Sequence, residues 1–225
     1  MTRQPLRGDR GRDAAPPVPA RRRGVALLCA LAVAGALGCA SAGGAARGGD
    51  ADRREWVRLF NGRDLAGWTA KVAKHPVGEN YANTFRVRGG VIEARYDGYG
   101  GDYAVQFAHL YYDRPYGYYL LSFEYRLVGT LYPGAPSYTL RNSGVMIHSQ
   151  DPRTMPPAQN FPISVEMQLL GGLGDGKPRH TGNMCSPGTA VVFEGKLDPR
   201  HCINSTSRTY DGERWVRAEA VVLGD

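Results

Sequence analysis

Apolar and polar positions alternate with a period of two through most of the chain beyond residue 55, the spacing of strands rather than helices. Phe85, Val87, Val91 and Glu93 flank Gly89-Gly90, a two-residue turn of the kind that closes a hairpin. Tyr119, Leu121, Phe123, Tyr125 and Leu127 alternate with Leu120, Ser122, Glu124, Arg126 and Val128, predicting a long strand with one apolar and one mixed face. After an Asn142-Ser143-Gly144 turn, Val145, Ile147 and Ser149 alternate with Met146, His148 and Gln150. Between Pro162 and Gly171-Gly172, Ile163, Val165, Met167 and Leu169 are expected to fill the core and to alternate with Ser164, Glu166, Gln168 and Leu170. A β-branched and aromatic run from Trp215 to Leu223 completes the set. Many short strands between Gly and Pro turns, with no amphipathic helix and no fixed repeat, predict an antiparallel all-β sandwich with little helix. The sequence stops at Gly224-Asp225 directly after a strand, where such a sandwich normally turns and returns, so its last partner strand is expected to be missing.

The first 54 residues read differently. Arg21, Arg22 and Arg23 precede an apolar run from Gly24 to Gly38, the charged and hydrophobic regions of a secretory signal, too short to span a bilayer comfortably. The run ends Ala36-Leu37-Gly38-Cys39, which resembles a bacterial lipobox; cleavage before Cys39 would leave a thiol for a lipid anchor, and simple cleavage is the alternative. The Ala, Gly and Ser that follow have the composition of a flexible tether. The expected organisation is a signal peptide over 1–38, a linker over 39–54 and a β-sandwich domain over 55–225. The expected location is a bacterial cell envelope or periplasm, with membrane contact only through that anchor.

Charge and cysteine content follow this division. The net charge of +7 is concentrated in the leader, where seven arginines face two acids within the first 39 residues; beyond them 21 basic groups meet 19 acidic ones. The folded part therefore lacks the basic excess of a nucleic-acid binder. Of four cysteines, only Cys185 and Cys202 lie in the body of the domain. In an exported protein two such cysteines are most simply a disulfide, and two thiols without a CxxC or HxxxH pattern are a weak zinc signal.

Glu166 and Gln168, two apart on one predicted strand, point the same way, and Ser164 joins them in a polar row. Ordinary glycoside hydrolysis uses paired carboxylates; here the second position is an amide, which neither protonates a leaving oxygen nor attacks an anomeric carbon. The row suits a solvated strand face equally well. His148 would form an acid/base pair with Glu166 if neighbouring strands bring the two together, and is otherwise a surface histidine. Arg141 and Asn142 suit binding of hydroxyls or a carbonyl, although Asn-Ser-Gly is also a good turn. The other histidines form no ligand pattern, so no cofactor is evident. Eleven of the 13 tyrosines fall between Tyr96 and Tyr138, where rings suit both sugar stacking and half-buried strand positions. No P-loop, GxGxxG or Gly-x-Ser-x-Gly elbow is present.

Ordered motifs along the domain resemble one family. Leu59-Phe60-Asn61-Gly62-Arg63-Asp64-Leu65-Ala66-Gly67-Trp68 is similar to the "LFNGKDLxGW" opening of the 3-keto-disaccharide hydrolase family, also called domain of unknown function 1080. Arg141 to His148 and Phe161 to Gly172 follow in the family's order, and Cys185 to Thr189 and His201 to Ser207 resemble segments of a secreted branch. The resemblance implies a concanavalin A-like jelly roll, usually exported, that acts on sugars oxidised at carbon 3. The ketone acidifies the proton on carbon 2, so one base suffices: proton removal, expulsion of the glycosidic oxygen, then addition of water for net hydrolysis. By motif position this assigns Glu166 or His148 as base, with Gln168, Asn142 and Arg141 orienting the sugar or polarising the ketone. The resemblance leaves room for a divalent metal. Relatives continue into a segment like "HxVNGxxV", which this sequence lacks. The rival to a carbohydrate-cleaving enzyme is a noncatalytic carbohydrate-binding module on the same sandwich, with an inert scaffold third.

Overall fold

A computed structural model describes residues 56–224. The expected signal peptide, the linker and Cys39 lie outside the described residues. Twelve strands and four short 3₁₀ turns make up the described regular structure, with no α-helix among the described residues. All the pairings are antiparallel, as expected from the alternation, and the architecture is consistent with the jelly-roll sandwich that the family resemblance implies.

Strand β1 (Trp68–Val72) pairs with β4 (Ala108–Tyr112), and β2 (Phe85–Arg88) with β3 (Val91–Ala94) around the Gly89-Gly90 turn, as the sequence predicts. Both glycines have positive φ, 58° and 78°, which a two-residue hairpin turn requires. Strand β5 (Tyr118–Tyr125) runs beside β12 (Val216–Leu223) over eight residue pairs, from Tyr125 opposite Val216 to Tyr118 opposite Leu223. Val216 and Val222 point inward while Arg217, Val221 and Leu223 are exposed. The predicted long strand ends earlier than expected, at Tyr125, and the chain turns away through Gly129.

The four-stranded sheet carries the chemistry-bearing motifs. Its order is β11 (Cys202–Ile203), β8 (Asn183–Cys185), β7 (Val165–Leu170) and β6 (Asn142–Ile147). Small strands β9 (Val191–Phe193) and β10 (Lys196–Asp198) form a separate hairpin before β11.

Three expectations shift here. Asn142-Ser143-Gly144 is the first half of β6 rather than a turn, because it pairs with Leu170, Leu169 and Gln168. The strand also ends at Ile147 instead of running through Gln150: His148 takes a left-handed backbone, φ 48°, and Arg141 at the other end has φ 47°. Non-glycine residues adopt that conformation at a cost, so β6 is bounded by two conformationally strained positions. The expected inward set of β7 is also only partly inward. Leu169 is buried, whereas Ile163 lies before the strand and is exposed.

The core gathers Ala70, Val72 and Ala73 from β1 and its exit, Phe85 from β2, Tyr99 and Tyr103 from the loop before β4, and Leu169, Val216 and Val222. Of the tyrosine-rich segment only Tyr99 and Tyr103 are buried here, whereas Tyr116, Tyr118 and Tyr138 are exposed. Tyr96 meets Tyr99 and Tyr103 edge-to-face at 5.2 and 5.5 Å, and burial pushes the Tyr96 hydroxyl up to about 12. Lys71 is also fully buried, with Nζ donating to the carbonyls of Val72, His75 and Pro157 at 3.0, 3.1 and 3.4 Å. Burial lowers its pKa, and the three carbonyls supply the hydrogen bonds that water would otherwise provide.

Candidate functional site

The β5, β6 and β7 strands line an open cleft of about 3010 Å³. Small-molecule sites are usually about 300 to 1,000 Å³, so cleft size alone does not locate a substrate, and the polar groups must. In the four-stranded sheet Glu166 is the only carboxylate.

Glu166 sits on β7 opposite Met146 of β6 and Cys185 of β8. Residues directly paired across strands project to one face, so Glu166, Gln168, Asn183 and the Cys185 side chain share it. Cys185 pairs with Cys202 of β11 and is disulfide-bonded to it, as the cysteine arithmetic anticipates. Room for the carboxyl comes from Gly144: a side chain there would come within 2.7 Å of both Cγ and Cδ of Glu166, and closer still to Oε1. Among the described residues no donor reaches the Glu166 carboxylate, so its burial is uncompensated and pushes its pKa up to about 7. A carboxyl poised there exchanges a proton readily near neutral pH.

Gln168, two pairs further along β7, lies opposite Gly144 and Asn183. Its Oε1 accepts a hydrogen bond from Asn183 Nδ2 at 3.0 Å. Ser164, expected to extend the polar row, is instead buried, and its hydroxyl donates to the Pro162 carbonyl at 3.1 Å.

The other expected site residues lie around this pair without joining it. His148 lines the same cleft but is exposed, lies beyond the last ladder pair of β6 with β7, and makes no ion pair or hydrogen bond with Glu166. Asn142 begins β6 and spends its amide nitrogen on the Tyr138 carbonyl, 3.0 Å away, leaving its oxygen free of protein donors among the described residues. Arg141 turns its guanidinium to the exit of β7, donating to the Gly172 carbonyl at 3.2 Å and lying 3.9 Å from Glu213. Arg179, which the sequence did not single out, holds the carbonyls of Leu140, Arg141 and Gly171 and so fixes the loops where β6 begins and β7 ends. Phe107 packs on Phe161 at 4.4 Å and stacks with the exposed Tyr138 at 6.5 Å, giving the cleft an aromatic wall. Among the described residues no three His, Cys, Asp or Glu side chains converge as a metal donor set. No helix among them is long and apolar enough to cross a membrane.

Gly144 and Asn183 escaped the sequence reading. The first looked like a turn glycine, and the second lies on a three-residue strand too short to show alternation.

The family model described as 3-keto-alpha-glucoside-1,2-lyase-like domain matches residues 55–225. No curated protein and no solved structure matches the chain.

Proposed function

The chain belongs to the family of the 3-keto-alpha-glucoside-1,2-lyase-like domain, a carbohydrate-related family, and from this premise we propose that it is an enzyme cleaving the glycosidic bond of 3-keto glycosides, with Glu166 as its base. The observation that carries the reading is the solitary, donor-free Glu166 carboxyl, raised to about 7 by burial, on a sheet face that holds an amide where a second carboxylate would stand. One base is what a 3-keto sugar needs. The carboxylate takes the proton from carbon 2, and the electrons of that bond move into the ketone as an enolate. The enolate re-forms the carbonyl and a double bond between carbons 1 and 2 as the bond from carbon 1 to the glycosidic oxygen breaks. That oxygen leaves with a proton from Glu166 or water. Water adding to carbon 1, with a proton returned to carbon 2, turns the lyase outcome into net hydrolysis.

Gln168 and Asn142 are the residues of this reading nearest the base that could hold the sugar; Arg141, committed to Gly172 and Glu213, acts through the loop rather than on substrate. His148 serves as an outer proton carrier rather than a hydrogen-bonded partner of Glu166. No step is routed through a metal, since the described residues assemble no donor set for one. Export by the N-terminal leader, with or without a lipid on Cys39, belongs to the same proposal and rests on sequence alone.

The test is product formation from a 3-keto disaccharide and its unoxidised parent by the wild-type protein and by Glu166→Gln. Cleavage of the keto sugar alone, abolished by Glu166→Gln, supports the reading. Sugar binding without turnover by a folded wild-type protein replaces it with a binding module.

A further inference from the structure

The orientation of a glutamine amide is ambiguous from its shape alone, because its oxygen and nitrogen are nearly interchangeable. In this protein a chain of fixed backbone groups removes the ambiguity at Gln168. The Ser205 backbone N–H, which can only donate, bonds Asn183 at 2.9 Å, so the Asn183 atom facing it is Oδ1. The opposite atom of that amide is then Nδ2, and it faces the His180 carbonyl, which can only accept, at 3.1 Å. Asn183 is therefore held one way round by two backbone groups of opposite polarity. Its Nδ2 also faces Gln168 at 3.0 Å, which requires the Gln168 atom there to be Oε1. By elimination, Nε2 is the end of Gln168 turned from Asn183, and no acceptor among the described residues engages it. Asn183 is 4% exposed, so water does not compete for these bonds.

We infer that Asn183 is a positioning residue that locks Gln168 as a hydrogen-bond donor beside Glu166, giving the cleft a site for an acceptor-only oxygen such as a ketone or the enolate it becomes. The inference rests on the reading of Glu166 as the base for a keto sugar and adds what recognises the ketone. A free glutamine could turn its carbonyl outward and accept from a hydroxyl. A locked one offers N–H only, which suits a ketone oxygen in the ground state and suits it better as negative charge develops there. The locking also spares the reorganisation that a freely turning amide would undergo at each binding event.

The test uses two small ligands that cannot lose an aglycone: the 3-keto form of 1,5-anhydroglucitol and 1,5-anhydroglucitol itself, with affinities measured by calorimetry on the wild-type protein and two variants. Gln168→Glu keeps the size and the bond from Asn183 but places a second acceptor in the cleft. It is expected to weaken the keto ligand about tenfold or more while changing the alcohol less than about threefold, since a hydroxyl can donate to the new oxygen. Asn183→Ala, checked by its melting curve, is expected to weaken the keto ligand at least about fivefold more than the alcohol, because Gln168 is then free to turn. On the 3-keto disaccharide it lowers kcat by about tenfold or more, with the acidic limb of the pH profile unmoved because the base is untouched. Equal weakening of both ligands in Gln168→Glu, or a wild-type protein that binds neither, overturns the inference. Selective loss of the keto ligand in a protein that never cleaves a keto glycoside upholds the donor site and sinks the catalytic reading instead.

Discussion

Gly144 lies beneath the Glu166 carboxyl, on the neighbouring strand, so closely that no side chain at 144 is compatible with the present position of that carboxyl. Gly144 does not have a positive φ, so an alanine can take its backbone conformation without strain. The atoms in conflict belong to the movable end of a glutamate. Gly144→Ala is therefore expected to leave the urea-unfolding free energy within about 1 kcal/mol of wild type. The same change lowers kcat/KM on a 3-keto disaccharide by about 100-fold, because displacement of a base by about an ångström is enough for that loss. A fully active alanine variant would remove Glu166, as placed here, from the reaction.

The pH dependence of the proposed reaction follows from the same carboxyl. Glu166 must be ionised to act as base, and its pKa stands at about 7, so kcat/KM should rise about tenfold per pH unit below that point and level off above it. Stability runs the opposite way. In the folded chain the carboxyl keeps its proton up to about 7, whereas in the unfolded chain it loses it near 4.5. Between those values the folded state binds more protons, so this group makes stability fall as pH rises through the window and changes nothing above it. Glu166→Gln removes the buried charge and is expected to be more stable than wild type at about pH 8 by roughly 1 to 2 kcal/mol, allowing for screening in the open cleft. Their difference should vanish at about pH 4. An activity limb near the ordinary carboxylate range would contradict the donor-free environment of Glu166.

The alternation of Glu166 and Gln168 with Val165, Met167 and Leu169 was legible because a strand's two-residue period assigns faces without knowing its partners. What lay across from those residues was not. Register depends on neighbouring strands, and β8 supplies only Asn183 to Cys185, too few residues to show a pattern. Gly144 misled for a related reason: Asn-Ser-Gly favours turns locally, and the pairing of all three residues with β7 overrides that preference. His148 was assigned a strand face by extrapolating alternation past Ile147, where its positive φ ends the ladder. Lys71, which sequence alone would place in solvent, is buried because the carbonyls of Val72 and His75, from its own strand and the turn after it, and of the distant Pro157 converge on it.

The disulfide should matter to the site as well as to the fold. Cys185 and Cys202 are 17 residues apart and directly opposed on β8 and β11, with Cys185 also opposite Glu166. Replacing both by serine lengthens the free loop of the unfolded chain and is expected to cost about 3 kcal/mol in urea unfolding. The two hydroxyls would also stand on the Glu166 face where sulfur stands now. A more polar neighbour favours the ionised carboxyl, so the acidic limb of the pH profile should move down from its wild-type position. An unchanged limb in the folded double variant would mean that the disulfide does not shape the environment of Glu166.

Lys71 and His109 face each other across β1 and β4, and together they tie acid stability to the interior. His109 donates from Nε2 to the Asn160 carbonyl at 2.7 Å. Burial lowers its pKa, and the Lys71 charge pushes the same way, so the folded chain holds the ring neutral where the unfolded chain has begun to protonate it. As pH falls below the unfolded value of about 6.5, the unfolded state binds the extra proton and stability is lost, until the folded ring also protonates at a lower pH. His109→Gln keeps a donor for Asn160 but cannot titrate. The stability advantage of wild type over this variant, measured by urea unfolding, should therefore shrink between about pH 8 and pH 5. Lys71→Met, by contrast, removes three hydrogen bonds from a buried ammonium and leaves the His75 carbonyl without another donor among the described residues, while Val72 and Pro157 still accept from the His75 and Lys74 backbone N–H groups; it is expected to cost at least about 1 kcal/mol even at about pH 8, where His109 is neutral. It should also flatten the acid-side loss, because one of the two causes that hold His109 neutral is gone. If wild type and His109→Gln lose stability in parallel on acidification, the interior histidine is not the group that makes this fold acid-sensitive.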